Sequence, residues 1–363
     1  MEQATRDVPV EAAVQSEPSR DSSAADAPSG PRIPISARFL LAIYAIVPIC
    51  LLAMAIDGLF FTDSFFRALP TSPENNLYFQ LAFGTPHIIA SSIILAANTE
   101  YVRWYWLQIV LFTAFVLAFF GIGSFYFSYE VFFAIVGAAT VMHVIKQQVG
   151  IGKGLCRISS WTYEAWGWLL VVFGTILYYA VYMGNGLQPQ TRAWVHGVLG
   201  VLAATAFVLT VMCHFQIEGT LGRLYLWGNA AMVLQSGLFY AADYSFLAIL
   251  GPRLVHDITA FTFYVTHDMN RHGEEPQSLL YLLPEKLGLG VFWVCPLLAV
   301  ALTYFFTMYF DQLVGYVTPM LGFEVPYNPS FLVVGYLGLL HYFTEAFTWR
   351  QGSPYRPHYG FTA

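Results

Sequence analysis

Residues 255–272 read VHDITAFTFYVTHDMNRH. The pairs His256-Asp257 and His267-Asp268 stand in an otherwise apolar stretch, and Arg271 and His272 follow the second pair. Ionisable side chains in such a stretch have different meanings in water and in lipid, because lipid penalises them unless they are paired. The solvent around this chain therefore decides the fold and the function that this stretch indicates.

Composition indicates that the solvent is lipid. The chain has 363 residues, of which 57% are hydrophobic and only 10% are charged, and its mean hydropathy is +0.57. A soluble protein carries about 25% charged residues, so this chain lacks the polar surface to face water on all sides. We therefore expect an all-α, polytopic integral membrane protein with membrane lipids as partners. The net charge of −6 has no basic patch, which gives no support for a nucleic-acid partner.

Apolar runs of about 20 residues can cross a bilayer as helices. The sequence predicts about ten such spans, at roughly 37–59, 77–98, 103–125, 128–148, 161–183, 193–214, 224–248, 252–270, 288–310 and 328–349. The eighth looks the least apolar and the easiest to miss by hydropathy, and Gly251-Pro252 is interpreted as the loop before it. Residues 35–350 would form the transmembrane domain, after a disordered tail at 1–34 and before a short cytoplasmic tail at 351–363.

The distribution of cations predicts the orientation. With the N-terminus inside, the inner segments hold 13 of the 16 Lys and Arg residues, as expected for cytoplasmic loops. This supports ten spans with both termini in the cytoplasm. Compact loops and the lack of a recognisable targeting peptide favour a bacterial inner membrane.

Eight of the nine histidines fall in or just after the even-numbered spans, which all run from outside to inside in this topology. Counting 1.5 Å per residue back from the next cytoplasmic cation places four of them roughly 5 to 14 Å from the inner boundary. These four are His143, His214, His267 and His341. We expect them to converge in one layer, with His272 beside it and His87 closer to the midplane. His196 and His256 would lie near the outer face, so that the two His-Asp pairs could not serve one site.

Two carboxylates accompany this layer. Glu345 follows His341 by four residues, so both side chains leave the same helix face, and Asp268 adjoins His267. Imidazole and carboxylate ligands with open positions are typical of non-haem iron in oxygen chemistry. The predicted metal ligands are His87, His143, His214, His267, His272 and His341, and the predicted catalytic acids or bases are Asp268 and Glu345.

The sequence thus predicts a membrane metalloenzyme, with iron as the expected metal, that oxidises a lipophilic small molecule. Two alternatives remain open. The same groups could relay protons or bind an ion in a transporter, or two facing histidines could hold haem in an electron carrier. No GxGxxG or P-loop motif is present, so a nucleotide-binding function has no support.

Overall fold

The computed structural model describes residues 33–71, 73, 77–156, 158, 160–276, 278–322, 329–348 and 352–362. The predicted tail at 1–34 lies outside the described residues except for its last two. Within the described ranges the chain is almost entirely helical, which confirms the all-α prediction. The α-helices are α1 Ala37–Ile43, α2 Ile46–Phe60, α3 Ser64–Arg67, α4 Leu77–Phe79, α5 Thr85–Ala97, α6 Thr99–Val116, α7 Tyr129–Cys156, α8 Trp161–Met183, α9 Pro189–Gln216, α10 Thr220–Ala241, α11 Ser245–His272, α12 Leu279–Lys286, α13 Val291–Phe305, α14 Asp311–Met320 and α15 Pro329–Thr348.

Three π-helical turns interrupt or extend these helices. They are Gln80–Gly84 between α4 and α5, Leu117–Ile122 after α6, and Phe306–Phe310 between α13 and α14. Short 3-10 turns lie at Gly123–Phe125, Gly184–Gly186 and Arg356–His358. A π turn widens the helix and leaves carbonyl groups displaced from the regular hydrogen-bond ladder, and such turns occur often at functional sites.

Eight helical segments of the described chain are long and apolar enough to cross a membrane, and so the protein has the helices of a multi-pass membrane protein. They are Ala37–Phe60, Leu77–Ala97, Thr99–Ile122, Glu130–Leu155, Trp161–Met183, Pro189–Gln216, Ser245–His272 and Val291–Met320. Large apolar side chains such as Leu111, Phe115 and Val201 are exposed on these segments, as expected for surfaces that face lipid rather than water.

The two predicted spans outside this group are the seventh and the tenth, which correspond to α10 and α15. Both are long helices, but α10 buries Asn229, Gln235 and Ser236, and α15 buries His341 and Glu345. Polar side chains on interior faces lower the mean hydropathy of a helix. The expectation that hydropathy would miss the eighth span is wrong, since Ser245–His272 is among the eight.

The predicted loop at Gly251-Pro252 is also wrong. The chain turns earlier, at residues 242–244, where Asp243 adopts a positive φ of 62°, and Pro252 lies inside α11. Asp tolerates the left-handed conformation better than most residues, and a membrane helix tolerates an internal Pro when its neighbours satisfy the freed carbonyl. As a result α11 starts seven residues before the predicted span, which changes the depth of every side chain on it.

The two ends of the described chain meet beside the end of α11. Strand β1 (Ile35–Ser36) pairs in parallel with strand β2 (Phe361–Thr362). The Asn270 side chain accepts a hydrogen bond from the Ile33 amide at 2.8 Å and donates to the carbonyls of Ile33 and His358, each at 2.9 Å. Residues 352–362 are therefore packed against the helical bundle, with Tyr355 and Tyr359 buried.

Candidate metal centre

Four imidazole rings from four helices meet in the middle of the bundle. His87 lies on α5, His143 on α7, His256 on α11 and His341 on α15, and all four are buried. Each of these helices contacts two of the others: α5 and α7 both contact α11 and α15. We refer to His87, His143, His256 and His341 as the histidine centre.

The rings are arranged in a cycle. The ring centroids lie 5.1 Å apart for His87 and His256, 5.0 Å for His256 and His143, 4.7 Å for His143 and His341, and 5.1 Å for His341 and His87. The interplanar angles of these pairs are between 69° and 86°. Neighbouring rings are thus edge to face around a common point, and the rings do not stack.

The contacts of Nδ1 determine the tautomer of His87. Nδ1 lies 3.3 Å from the carbonyl oxygen of Phe83 and 3.2 Å from Oδ1 of Asp257. Both oxygens only accept hydrogen bonds, so Nδ1 carries the hydrogen and Nε2 keeps its lone pair. Phe83 belongs to the π turn before α5, and this turn places its carbonyl beside the ring.

Asp257 joins this arrangement to a buried cation. Its Oδ2 lies 3.4 Å from Nε of Arg253, one helical turn earlier on α11, and Nη2 of Arg253 donates to the Gly84 carbonyl at 3.0 Å. Asp257 is fully buried, and the adjacent guanidinium compensates its charge. The Asp257–Arg253 pair therefore fixes both the π turn and the His87 ring that follows it.

Gln147 determines the tautomer of His256. Its amide Nε2 donates to Oε2 of Glu345 at 3.1 Å, which leaves Oε1 to accept from Nδ1 of His256 at 2.8 Å. A carboxylate can only accept, so the orientation of the amide is set by Glu345. Nδ1 of His256 is therefore protonated, and its Nε2 has the free lone pair.

Ser91 determines the tautomer of His341. Its Nδ1 lies 2.9 Å from Oγ of Ser91, and that hydroxyl donates its only hydrogen to the Ile88 carbonyl at 2.9 Å. The Ser91 oxygen must therefore accept from Nδ1. Like His87 and His256, His341 presents an unprotonated Nε2 to the centre.

The Nε2 atoms of all four rings are buried and have no hydrogen-bond partner among the described residues. An unsatisfied buried polar group costs about 1–3 kcal/mol, so four of them together cost several kcal/mol. A cation at their meeting point would remove this cost. Neutral imidazoles whose second nitrogen is oriented by a carboxylate, carbonyl or hydroxyl are the usual form of metal-bound histidine.

The distances fit a metal ion. One ligand atom from each of His87, His256 and His341 lies within 4.8 Å of the other two, and the same holds for His143, His341 and Glu345. Two atoms bonded to one ion at about 2.1 Å are at most about 4.2 Å apart, so the rings need to move inward only slightly. The two groups share His341, and so they form one connected site of four imidazoles and one carboxylate.

Glu345 lies at the edge of the histidine centre. Its Oε2 is 3.5 Å from Nε2 of His143, and its Oε1 accepts a short hydrogen bond from the Tyr264 hydroxyl. The 3.5 Å distance is longer than a good hydrogen bond, so the His143 nitrogen remains available to a metal. The predicted pairing of Glu345 with His341 across one helical turn is present, at 3.9 Å.

A cavity of about 550 Å³ reaches the centre on this side. His143, Gln147 and Glu345 line it beside the centre, Lys146 and Arg356 add two cations, and much of the remaining lining is apolar or glycine. Its volume falls in the range of small-molecule sites in proteins, about 300–1,000 Å³. A ligand in this cavity would lie directly against the His143 and Glu345 side of the centre.

A second polar cluster lies farther along α11. We call it the end cluster, and it consists of Tyr101, His267, Asp268, Arg271 and Tyr281. Nε2 of His267 is 2.8 Å from the Tyr101 hydroxyl and Nδ1 is 3.0 Å from Asp268, which also accepts from Tyr281 at 2.5 Å. Eleven residues separate His267 from His256, a rise of about 16 Å along a helix.

The expectation that His267 shares a layer with His143 and His341 is therefore wrong, and the structure does not bring His214 into contact with either of these histidines. His267, Asp268 and His272 belong to the far end of α11, where His272 stacks on Tyr281 at 4.0 Å. Nδ1 of His214 accepts from the Trp227 indole at 3.2 Å. None of these four residues is in either group of candidate metal ligands among the described residues, and Asp268 is not next to the histidine centre.

Two misplaced helix ends explain the errors in depth. The prediction measured depth from the nearest cation, but α7 continues ten residues past Lys146 to Cys156, so His143 lies mid-helix. His256 was predicted near the outer face, yet it is the twelfth of the 28 residues of α11 because that helix begins at Ser245. His196, the other predicted outer histidine, packs against the Tyr240 ring with centroids 5.1 Å apart.

Sequence reasoning did not place His256 in the histidine centre, Asp257 beside His87, or Gln147 beside His256. A usable signal was present: Pro252 can be accommodated in a membrane helix, and Arg253 and Asp257 are spaced i and i+4, as paired charges in a helix often are. A longer eighth helix would have placed the first His-Asp pair at mid-depth.

Comparisons of the chain with models of protein families, with curated proteins and with solved structures find no match.

Proposed function

We propose that the protein is a membrane metalloprotein whose histidine centre binds one iron ion and that it acts as a non-haem oxygenase or hydroxylase on a lipid-soluble substrate. One observation carries this proposal: four buried imidazole rings lie in a cycle of neighbours, and their Nε2 atoms, three with their lone pairs assigned by hydrogen bonds, have no partner among the described residues. Bound iron would supply the binding and activation of dioxygen.

The choice of iron is supported by the mixed ligand set. Imidazole suits iron, zinc and copper, and histidines with a carboxylate and an open position favour iron. Glu345 lies beside His143 and faces a cavity, so the site has room for a further ligand next to the four imidazoles. A closed tetrahedral site without an adjacent cavity would favour structural zinc.

The protein groups around the cavity have definite roles in this proposal. The apolar wall excludes water and holds the substrate beside His143. Glu345 accepts from Tyr264 and Gln147, so it can hold or release a proton next to the reacting atoms without losing its position. An oxygenase that transfers both oxygen atoms to its substrate would need no external reductant, whereas a hydroxylase would take two electrons from a separate reductant.

The haem alternative has less support. Haem requires two axial imidazoles on opposite faces of a porphyrin, and rings with centroids 4.7 to 5.1 Å apart leave no space for a porphyrin between them. We further propose that α10 and α15 complete ten membrane spans, with both termini in the cytoplasm of a bacterial inner membrane.

Metal analysis tests the site. Wild type, His256→Ala and His267→Ala would be purified in detergent, loaded anaerobically with ferrous iron and desalted. Elemental mass spectrometry would then measure the iron bound per chain. The two substitutions remove buried histidines from the same helix, so His267→Ala is the matched control. We expect about one iron per chain in the wild type and the control, and less than a tenth of that in His256→Ala. A wild type without metal would overturn the proposal.

Oxygen chemistry is tested separately. An oxygen electrode would record uptake by the iron-loaded protein when a total lipid extract is added, and mass spectrometry would search the lipids for label from ¹⁸O₂. We expect uptake and labelled lipid with the wild type and neither with His256→Ala. Stoichiometric iron without any uptake would refute the oxygenase assignment and leave the metal site intact.

A further inference from the structure

The lining of the cavity beside the histidine centre combines apolar side chains with two cations, Lys146 and Arg356. Its apolar lining includes Met142, Ile151, Phe263 and Phe361, and the Arg356 side chain also lines it. The rings of Tyr359 and Phe361 pack on Phe263 with centroids 5.6 and 5.9 Å apart. Because Phe263 is seven residues beyond His256 on α11, this part of the cavity lies roughly 10 Å from the centre along the helix.

Arg356 has spare hydrogen-bonding capacity. It is exposed, and the one hydrogen bond of its guanidinium within the described part of the chain goes from Nη1 to the Tyr359 carbonyl at 3.2 Å. A guanidinium has five N–H donors in a planar fork that matches carboxylates and phosphates. The other cation of the lining, Lys146, lies 3.6 Å from Glu164 and 4.3 Å from the Trp168 ring centre, so it already has partners.

Two glycines keep the cavity wide. Gly150 and Gly154 line it and lie four residues apart, on one face of α7. A Cβ atom added at either position meets no atom within 4 Å, so close helix packing does not explain these residues. Glycine destabilises a helix, and open space for a ligand gives a reason for both positions.

We propose that this cavity binds a lipid with one apolar chain and one anionic head group, with Arg356 contacting the head group and the chain extending past Phe263 toward His143 and Glu345. This inference deepens the proposed function, since it names the substrate class of the same site. Charge complementarity selects an anion at the Arg356 end, and the apolar wall selects a hydrocarbon chain between that end and the centre.

Ligand binding tests the proposal. Radiolabelled oleate and oleyl alcohol share a chain and differ in the charge of the head group, and the binding of each to the purified protein in maltoside micelles would be measured. We expect the wild type to bind oleate at least tenfold more tightly than the alcohol, and Arg356→Gln to lose this preference. Arg103→Gln, which removes an exposed arginine outside the cavity lining, is the matched control and should retain it.

Substitutions in the cavity wall distinguish the contribution of the lipid chain to binding from that of the head group. Gly150→Leu should weaken binding of both ligands at least tenfold, and the smaller Gly150→Ala should do so partially, which keeps the test valid should the larger side chain impair folding. Equal binding of oleate and oleyl alcohol by the wild type, or an unchanged preference in Arg356→Gln, would overturn the inference.

The iron content of every sample distinguishes the two proposals. Stoichiometric iron without a preference for oleate would contradict the proposal of an anionic lipid and leave the metal centre supported. A preference for oleate that depends on Arg356, in a protein that retains no iron, supports the lipid site and contradicts the metal centre.

Discussion

Helix α11 carries the dipeptide His-Asp twice, and the two copies have different surroundings. In the end cluster, both ring nitrogens of His267 have partners, the Tyr101 hydroxyl and the Asp268 carboxylate. In the histidine centre, Nδ1 of His256 bonds to Gln147 while its Nε2 has no partner among the described residues. Both histidines are fully buried, so burial alone does not distinguish a structural histidine from a candidate ligand.

The difference arises from the groups that each end of the helix meets. The end cluster lies where the chain termini return, and Tyr281 and Arg271 supply donors there. At the centre, the groups that touch the Nδ1 atoms of His87, His256 and His341 are acceptors, and the Nε2 atoms of all four rings have no partner among the described residues. The end cluster satisfies the polar atoms of His267 with protein groups, whereas the histidine centre leaves buried nitrogens that a cation could satisfy.

The first prediction, with the largest expected effect, concerns removal of the metal. A ligand present at a thousand times its dissociation constant stabilises the native state by about 4 kcal/mol. Chelation of iron-loaded wild type should therefore lower the melting temperature by several degrees, measured by tryptophan fluorescence in detergent. His267→Leu should lose a similar amount on chelation, whereas His256→Leu should not respond.

The metal-free proteins provide the control for this comparison. Without metal, His256→Leu breaks one hydrogen bond, to Gln147, but also removes a buried nitrogen that lacks a partner, so its net cost in stability should be small. His267→Leu breaks two hydrogen bonds and should melt clearly lower. Equal losses in the two metal-free variants would mean that the two histidines have the same structural role.

The second prediction concerns the end cluster. Asp268→Ala leaves the Tyr281 hydroxyl and Nδ1 of His267 without their acceptor, and each lost partner costs about 1–3 kcal/mol. We expect about 3 kcal/mol less free energy of unfolding in mixed-micelle denaturation, with unchanged iron content. Tyr281→Phe removes the donor and leaves no hydroxyl unpaired, so its cost should be about 1 kcal/mol. Loss of iron in Asp268→Ala would instead mean that Asp268 contributes to the metal site.

The fold was largely predictable because lipid imposes simple rules on a helical chain. Eight predicted spans correspond to long apolar helices, and the remaining two correspond to α10 and α15. The helix ends were less predictable, since a Pro within a helix and a left-handed Asp243 leave only weak local signals. One misplaced end at Ser245 was enough to assign His256 to the wrong depth.

The candidate site was predictable only in part. The structure brings four of the predicted site residues close together, His87, His143, His341 and Glu345, in keeping with the tendency of ionisable residues in apolar helices to face inward. The choice between His256 and His267 could not be made from composition, because both belong to a His-Asp pair in the same helix. Only the three-dimensional positions of Gln147, Tyr101 and Tyr281 distinguish them.

The third prediction concerns Asp257, which we expect to position His87 without binding metal itself. Asp257→Asn retains the shape and weakens the charged contacts to Nδ1 of His87 and to Arg253. Loss of such an orienting carboxylate typically lowers metal affinity 10- to 100-fold. Competition with a chelator of known affinity would measure this decrease, and Asp268→Asn is the control on the same helix. Unchanged affinity in Asp257→Asn would mean that the Phe83 carbonyl alone orients the ring.

The smallest effect should come from His358, which touches the end cluster through Arg271 at 3.1 Å. Burial, together with neighbouring His267 and Arg271, lowers the pKa of His358 from 6.5 to about 4. Between these values the unfolded chain binds a proton that the folded protein does not, so the free energy of unfolding falls as pH decreases from 6.5 toward 4 and is unaffected above 6.5. Because the ring is partly exposed, solvent screening should keep the effect below about 1 kcal/mol.

His358→Gln removes this titration while keeping a side-chain oxygen that can accept from Arg271. Melting temperatures of the metal-free proteins at pH 7.5 and pH 5 would therefore differ less for this variant than for the wild type. The metal-free state is the right one for the measurement, because acid also releases metal from imidazoles and that loss would mask the contribution of a single ring. Parallel pH profiles would mean that His358 is protonated as readily in the folded protein as in the unfolded chain, and that the end cluster tolerates a second cation beside Arg271.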